Sequence, residues 1–259
     1  ENPVPIGELV SGLASQFGVT MPAALNEFTM RDFEFQFDTL TTNASGQFTL
    51  DFTVNQSKIE LTVTASLVKS ANGYQPTVDG KLTIGTAVFD VSFTSQTDKV
   101  FEASWSDPAN PLEFADVATA FGWTDMPPVP SDLDLSLTGA TFIYDFTSGN
   151  LIFAAQSRNY GAFVFAAISV SNSYQYFFML SVDRQFSLSN LPLVGKELAQ
   201  IENIEVSQIA VILGSTIPAP GTVAAINTLI AEINAKSQVQ YPSFPVTPLT
   251  GTFVLQAQL

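Results

Sequence analysis

Residues 33–38 read Phe33-Glu34-Phe35-Gln36-Phe37-Asp38, and this alternation of aromatic and polar side chains decides the fold class. Successive side chains of a strand point to opposite faces, so the three phenylalanines share one side and the polar residues the other. The same period follows in Phe48, Leu50, Phe52 and Val54, and then in Ile59, Leu61, Val63, Ala65 and Leu67. Ala44-Ser45-Gly46 and Asn55-Gln56-Ser57 mark turns between these runs, which therefore read as a meander. Asn72-Gly73 tolerates positive φ and predicts a tight hairpin that folds 74–84 back on the preceding strand, with Asp79-Gly80 as a bulge or second turn. Phe89, Val91 and Phe93, then Phe101, Ala103 and Trp105, predict two further strands.

Helical spacing appears in Leu9, Val10, Leu13 and Phe17, in Phe114, Val117, Ala118 and Phe121, and in Val223, Ile226, Leu229, Ile230 and Ile233. Each set lays one apolar stripe along a helix. A shorter helix is expected over 193–199. Thr222 is the expected N-cap of the last long helix, after the loop residues Pro218, Pro220 and Gly221. Pro242, Pro245 and Pro248 keep the segment before the final strand, Phe253 and Leu255, extended and out of a central sheet position. The expected fold is mainly β (α+β): twisted antiparallel sheets with a few packed amphipathic helices.

An internal repeat organises these elements. Phe17-Gly18, Met21-Pro22 and the strand 33–38 correspond to Phe121-Gly122, Met126-Pro127 and the strand 142–145, placing Phe37 on Tyr144. Gly46-Gln47-Phe48 then corresponds to Gly149-Asn150-Leu151, and a shortened third copy is expected from Leu193 into 204–213. The expected organisation is two helix-plus-meander halves, 1–106 and 107–214, and a C-terminal helix and closing strand over 215–259, fused into one body.

Ala103-Ser104-Trp105, the helix over 112–122, Leu133-Asp134-Leu135, Phe142-Ile143-Tyr144 and Tyr160-Gly161-Ala162-Phe163-Val164-Phe165 carry a resemblance. They resemble repeat units of very large fungal and bacterial proteins known only as a domain of unknown function, over roughly residues 5 to 182. The matching residues are apolar or turn-forming, and the resemblance implies no activity. By fold analogy alone, a helix followed by antiparallel strands is also similar to proteins that wrap a curved sheet around lipids.

Composition excludes several function classes. The 259 residues carry a net charge of −15 with nine Lys and Arg, and no basic cluster exists to hold a polyanion, so no nucleic-acid partner is expected. Cysteine and histidine are both absent, which removes thiol nucleophiles, the usual neutral-pH base and the commonest metal and haem ligands. The most apolar stretch, 160–182, is interrupted by Ser169, Ser171, Asn172, Ser173 and Gln175, so no transmembrane segment is expected. A secreted or otherwise soluble protein fits, with the compartment open.

Chemistry-bearing residues are sparse. Glu34, Asp38, Asp51, Glu60 and Asp90 are the candidate acids and bases, and the polar phase of their strands accounts for most of them as solvated surface. Asp107, Asp116, Asp125, Asp132 and Asp134 cluster in sequence, but their spacing matches no calcium loop. Lys58, Lys69, Lys81, Lys99, Lys196 and Lys236 are scattered as surface lysines are. No nucleophile elbow, phosphate-cradling loop or dinucleotide fingerprint occurs, so neither an enzyme nor a catalytic or metal site is expected.

The apolar excess is more informative. The chain has 22 Phe, and Phe163, Phe165, Ile168, Val170, Tyr174, Tyr176, Phe177, Phe178 and Met179 leave no wet face to their hairpin. A doubly covered core hairpin explains this, and so does a lined cavity. The expected function is a non-enzymatic binding protein that encloses a lipid-like or conjugated, pigment-like hydrophobic small molecule, with no metal or haem. Phe163, Phe165, Tyr176, Phe178, Phe35 and Tyr144 are its expected lining. The alternative is a structural or assembly repeat protein of an extracellular or cell-surface body, without a small ligand. A homo-oligomer is compatible with either.

Overall fold

The computed structural model describes residues 4–5, 28–54, 57–70, 73–92, 99–122, 135–171, 173–182, 186–187, 205–206, 208–246 and 251–258, and the protein is mainly β, built on antiparallel pairing. The helices expected over 9–17 and 193–199 lie outside the described residues. Two compact units are present: Glu1–Trp105 with Asp116–Gly122 and Ile143–Gly149, and Ser106–Ala115 with Trp123–Phe142 and Asn150–Leu259.

In the first unit, strands β1 (Val4–Pro5), β2 (Thr29–Asp38), β3 (Asn43–Val54), β4 (Ser57–Ser70), β5 (Gly73–Ile84), β6 (Ala87–Ser92) and β7 (Val100–Ser106) pair in chain order. The apolar phase of β3 to β6 builds the core, with Phe48, Leu50, Ile59, Leu61, Val63, Leu82, Ile84, Phe89 and Val91 buried. Asp79-Gly80 is not a turn: both residues lie inside β5, opposite Thr64 and Val63. Glycine is required there because β6 presses close, and a Cβ on Gly80 would stand 2.7 Å from Val91 Cβ.

A register shift between Met30 and Phe33 sets the phase of β2. Met30 pairs with Leu50 on the apolar face, whereas beyond the shift Phe35 and Phe37 pair with Gly46 and Ala44 on that same face. The extra residue thus converts an even-numbered apolar phase into an odd-numbered one. On the other face Asp51 and Glu60 stand directly opposite, a repulsive pairing that Arg31 relieves. Its Nε lies 2.7 Å from Asp51 Oδ2, its Nη2 donates to Glu60, and Lys58 Nζ adds a second contact to Asp51 Oδ2 at 2.8 Å.

The second unit contains β8 (Leu112–Glu113), most of β9 (Ser136–Asp145), β10 (Asn150–Ser157), β11 (Gly161–Val170), β12 (Ser173–Val182), the short pair β13 (Phe186–Ser187) and β14 (Glu205–Val206), β15 (Gln208–Gly214) and β16 (Phe253–Gln258). Its main sheet follows β9-β10-β11-β12-β15-β16, so the final strand pairs with β15. Helix α1 (Phe114–Ala120) starts in this unit with Phe114 and Ala115 and belongs to the first from Asp116 on; it buries Phe114 and Val117, with Phe121 following, and stops at Gly122, whose φ of 63° ends the helical path.

Helix α2 (Pro220–Lys236) buries Val223, Ile226, Leu229, Ile230 and Ile233 and packs on β10 and β11. Its N-cap is Ala219, not Thr222. Pro220 takes the first helical position, where its fixed φ fits and its missing N–H leaves no donor unpaired, so the helix begins before Thr222. Two asparagines, seven residues apart on α2, hold the extended chain that follows. Asn234 Nδ2 donates to Tyr241 O at 2.9 Å and its Oδ1 accepts from Tyr241 N at 2.7 Å; Asn227 makes the same pair of bonds to Phe244, at 2.9 and 2.8 Å. Both amides imitate a strand edge.

Burial pushes the Tyr241 phenol up to about 12, opposed by its hydrogen bond to Ser237. An unfolded tyrosine loses its proton near pH 10.0 and the folded one holds it to about 12. Stability is therefore complete below the unfolded value and falls as pH rises through that window, by about 3 kcal/mol. Tyr241→Phe should flatten this alkaline limb in Tm measured against pH; an equally steep limb in the variant would refute the assignment.

Candidate functional site

The turns β2–β3 and β9–β10 repeat each other. Four residues separate Asp38 from Asn43 and Asp145 from Asn150, and the fourth takes positive φ in both, Thr42 at 57° and Gly149 at 72°. Asp38 Oδ1 accepts from Leu40 N at 2.8 Å and Asp145 Oδ1 from Thr147 N at 2.8 Å, while the Thr41 and Ser148 hydroxyls donate to the second oxygens. The Thr41 hydroxyl and the Leu40 and Thr41 N–H groups hold Asp38 below its ordinary carboxylate value. Asn43 Oδ1 accepts from Lys69 N at 2.9 Å and Asn150 Oδ1 from Ser169 N at 3.0 Å. Gly149 thus corresponds to Thr42 and not to Gly46, because the shared feature is the left-handed backbone position.

Counting from these turns matches the two apolar faces residue by residue. Three positions after the asparagine stands Phe153 in the second unit, paired with Phe165; in the first stands Gly46, paired with Ala65. Five positions after stand Ala155 opposite Phe163, and Phe48 opposite Val63. Phe178 pairs with Phe165 from the next strand.

The second face is filled by the chain itself. Phe114 of α1 places its ring 5.4 Å from Phe163, nearly perpendicular, 5.9 Å from Phe165, 6.2 Å from Phe153 and 6.3 Å from Phe178. Tyr176 stacks on Phe165 at 5.9 Å. Phe163, Phe165, Tyr176 and Phe178, expected to line a ligand cavity, are therefore core residues around Phe114, which occupies the side of the hairpin that a ligand was expected to fill. Tyr144 is buried too, edge-on to Phe146 at 4.9 Å, and Phe146 continues to Phe28 at 5.3 Å.

The first face is different. Phe35 is 53% and Phe37 54% exposed, against 0% for Phe142 and 7% for Tyr144 at the matching distances before the turn. Leu40, in the turn, is 94% exposed. Phe35 pairs with Gly46 and Phe37 with Ala44, so two half-exposed rings stand beside small residues that are themselves buried, as Phe48 and Val63 are farther along. Of the six expected lining residues only Phe35 stands at this open end. Phe37, on the same aromatic phase of β2, stands there too; alternation reports a shared side without reporting where its cover ends. On β4 the apolar phase Ile59, Leu61, Val63, Ala65 ends at exposed Lys69.

The candidate acids are committed elsewhere. Glu60 and Asp51 share Arg31, Asp90 accepts from Lys81, Asp38 closes its turn and Glu34 accepts from Gln36 at 3.1 Å. Asp51 Oδ1 is buried, with no hydrogen-bond partner among the described residues. Asp107 is bound by Asn110 and by the Asn110 and Ala109 N–H groups, and Asp116 lies on α1; Asp125, Asp132 and Asp134 lie outside the described residues. Among the described residues no helix is long and apolar enough to cross a membrane. Compared with protein-family models, with curated proteins and with solved structures, the chain matches none.

Proposed function

We propose that this chain is a non-enzymatic binding protein for an apolar small molecule, which it takes on the open end of the first unit's apolar sheet face, around Phe35 and Phe37. One observation carries the reading: where the second unit has Phe153 and Phe165 beneath Phe114, the first has Gly46 and Ala65, with Phe35 and Phe37 half-exposed beside them. The half-exposed rings of Phe35 and Phe37 present apolar area that a ligand can cover in place of water.

The test is titration with Nile red, an uncharged dye whose emission rises in apolar surroundings, and its displacement by 1-dodecanol. A saturable signal is expected, weakened roughly tenfold in a Phe35→Ser, Phe37→Ser double variant. Both side chains are largely exposed, so the variant should fold normally by circular dichroism. Uptake unchanged in the double variant, or no uptake by the wild type, would overturn the proposal. Self-association abolished by the same double variant, without dye uptake, would establish the assembly reading in its place.

A further inference from the structure

We infer that the ligand is a single-chain amphiphile with an anionic head, an alkyl carboxylate, whose head pairs with exposed Lys69 while its chain lies along the half-exposed Phe35 and Phe37. The inference rests on the binding reading above and names the chemistry of its ligand.

Among the described side chains on the apolar phase of β2 to β5, Lys69 is the charged one, and it continues on β4 the every-second-position series of Ile59, Leu61, Val63, Ala65 and Leu67. Strand alternation sets it on the side of Phe37 and Ala44. Two strand spacings across and two residues along put its Cα about 12 Å from that of Phe37, within the length of an extended alkyl chain. The fold does not demand a cation there. At the matching place in the second unit, fixed by the same asparagine-to-N–H bond, stands Ser169.

Local charge favours a negative head. Asp38, at this end of the sheet, belongs to the opposite phase of β2 and is bound by the N–H groups and hydroxyl of its own turn. Glu34 is on that opposite phase as well. A net charge of −15 opposes an anionic membrane surface, whereas one carboxylate meeting one ammonium at the end of an apolar strip is locally complementary.

The experiment compares dodecanoate, 1-dodecanol and dodecyltrimethylammonium as competitors for Nile red, on the wild type, Lys69→Gln and Lys69→Glu. Dodecanoate should bind about fivefold more tightly than the alcohol to the wild type, lose that advantage in Lys69→Gln, and fall below the cationic amphiphile in Lys69→Glu. Equal affinities for the three in all proteins would overturn the inference while leaving the apolar site standing. No displacement by any of them would overturn both, and binding confined to phosphatidylglycerol vesicles, with none to monomeric dodecanoate, would overturn the alkyl-carboxylate assignment.

Discussion

Phe114→Ala should cost the second unit about 4 kcal/mol of stability. Phe114 is 4% exposed, and its ring meets those of Phe153, Phe163, Phe165 and Phe178 from three strands. Truncation removes the buried area of a phenyl ring and forfeits two edge-to-face contacts, to Phe163 and Phe165, each worth about 0.5–1.5 kcal/mol beyond area. It also leaves a void that four rigid rings on a paired sheet refill poorly. A domain of ordinary stability has about 5–15 kcal/mol in total, so the variant should unfold at much lower urea concentration, with an unchanged slope if the native state stays compact. Phe114→Leu should recover about half of the loss. A cost below about 1 kcal/mol for the alanine variant would show that this ring does not close the face.

Gly161→Ala should cost about 3 kcal/mol, although it adds a single methyl group. Gly161 opens β11 after the turn from β10, with φ at 121°, a backbone state that side-chain-bearing residues rarely adopt. A Cβ there would stand 2.9 Å from the Ser181 carbonyl oxygen. That oxygen belongs to the neighbouring strand β12, where Ser181 pairs with Ala162, so it cannot swing aside as a side-chain tip could. Relief requires β11 to shift against β12, which disturbs the ladder that carries Phe163 and Phe165. Gly221, early in α2, is the control of opposite sign: its Cβ would meet nothing within 4 Å, and Gly221→Ala should stabilise by about 0.5 kcal/mol. Equal and small effects at both positions, measured by urea unfolding, would refute the strain argument at Gly161.

Both expectations turn on contacts between elements distant in the chain, and the same distinction separates what was legible beforehand from what was not. The alternation of Phe33 to Asp38 and of Ile59 to Leu67 establishes strands because period two is a property of neighbouring residues, and it survived in β2 and β4. The stripes Phe114 to Phe121 and Val223 to Ile233 established helices for the same reason. The start of α2 was legible in principle, since Pro220 outranks Thr222 as a marker of the first turn. Asp79-Gly80 was misread because its glycine answers the pressure of Val91 from the next strand, which no local pattern records.

The sequence by itself determined that this is a β protein of paired apolar and polar faces with two amphipathic helices among the described residues, and that its chemistry contains neither thiol nor imidazole. Only the tertiary structure decided which apolar face is closed and which opens to solvent. Phe163 and Phe35 look alike in sequence, each an alternating phenylalanine, yet one is fully buried and the other half-exposed. Periodicity assigns a residue to a side at the cost of two neighbours' dihedral angles, whereas burial requires a cover, and the cover on Phe163 is the ring of Phe114, supplied from about 50 residues away along the chain.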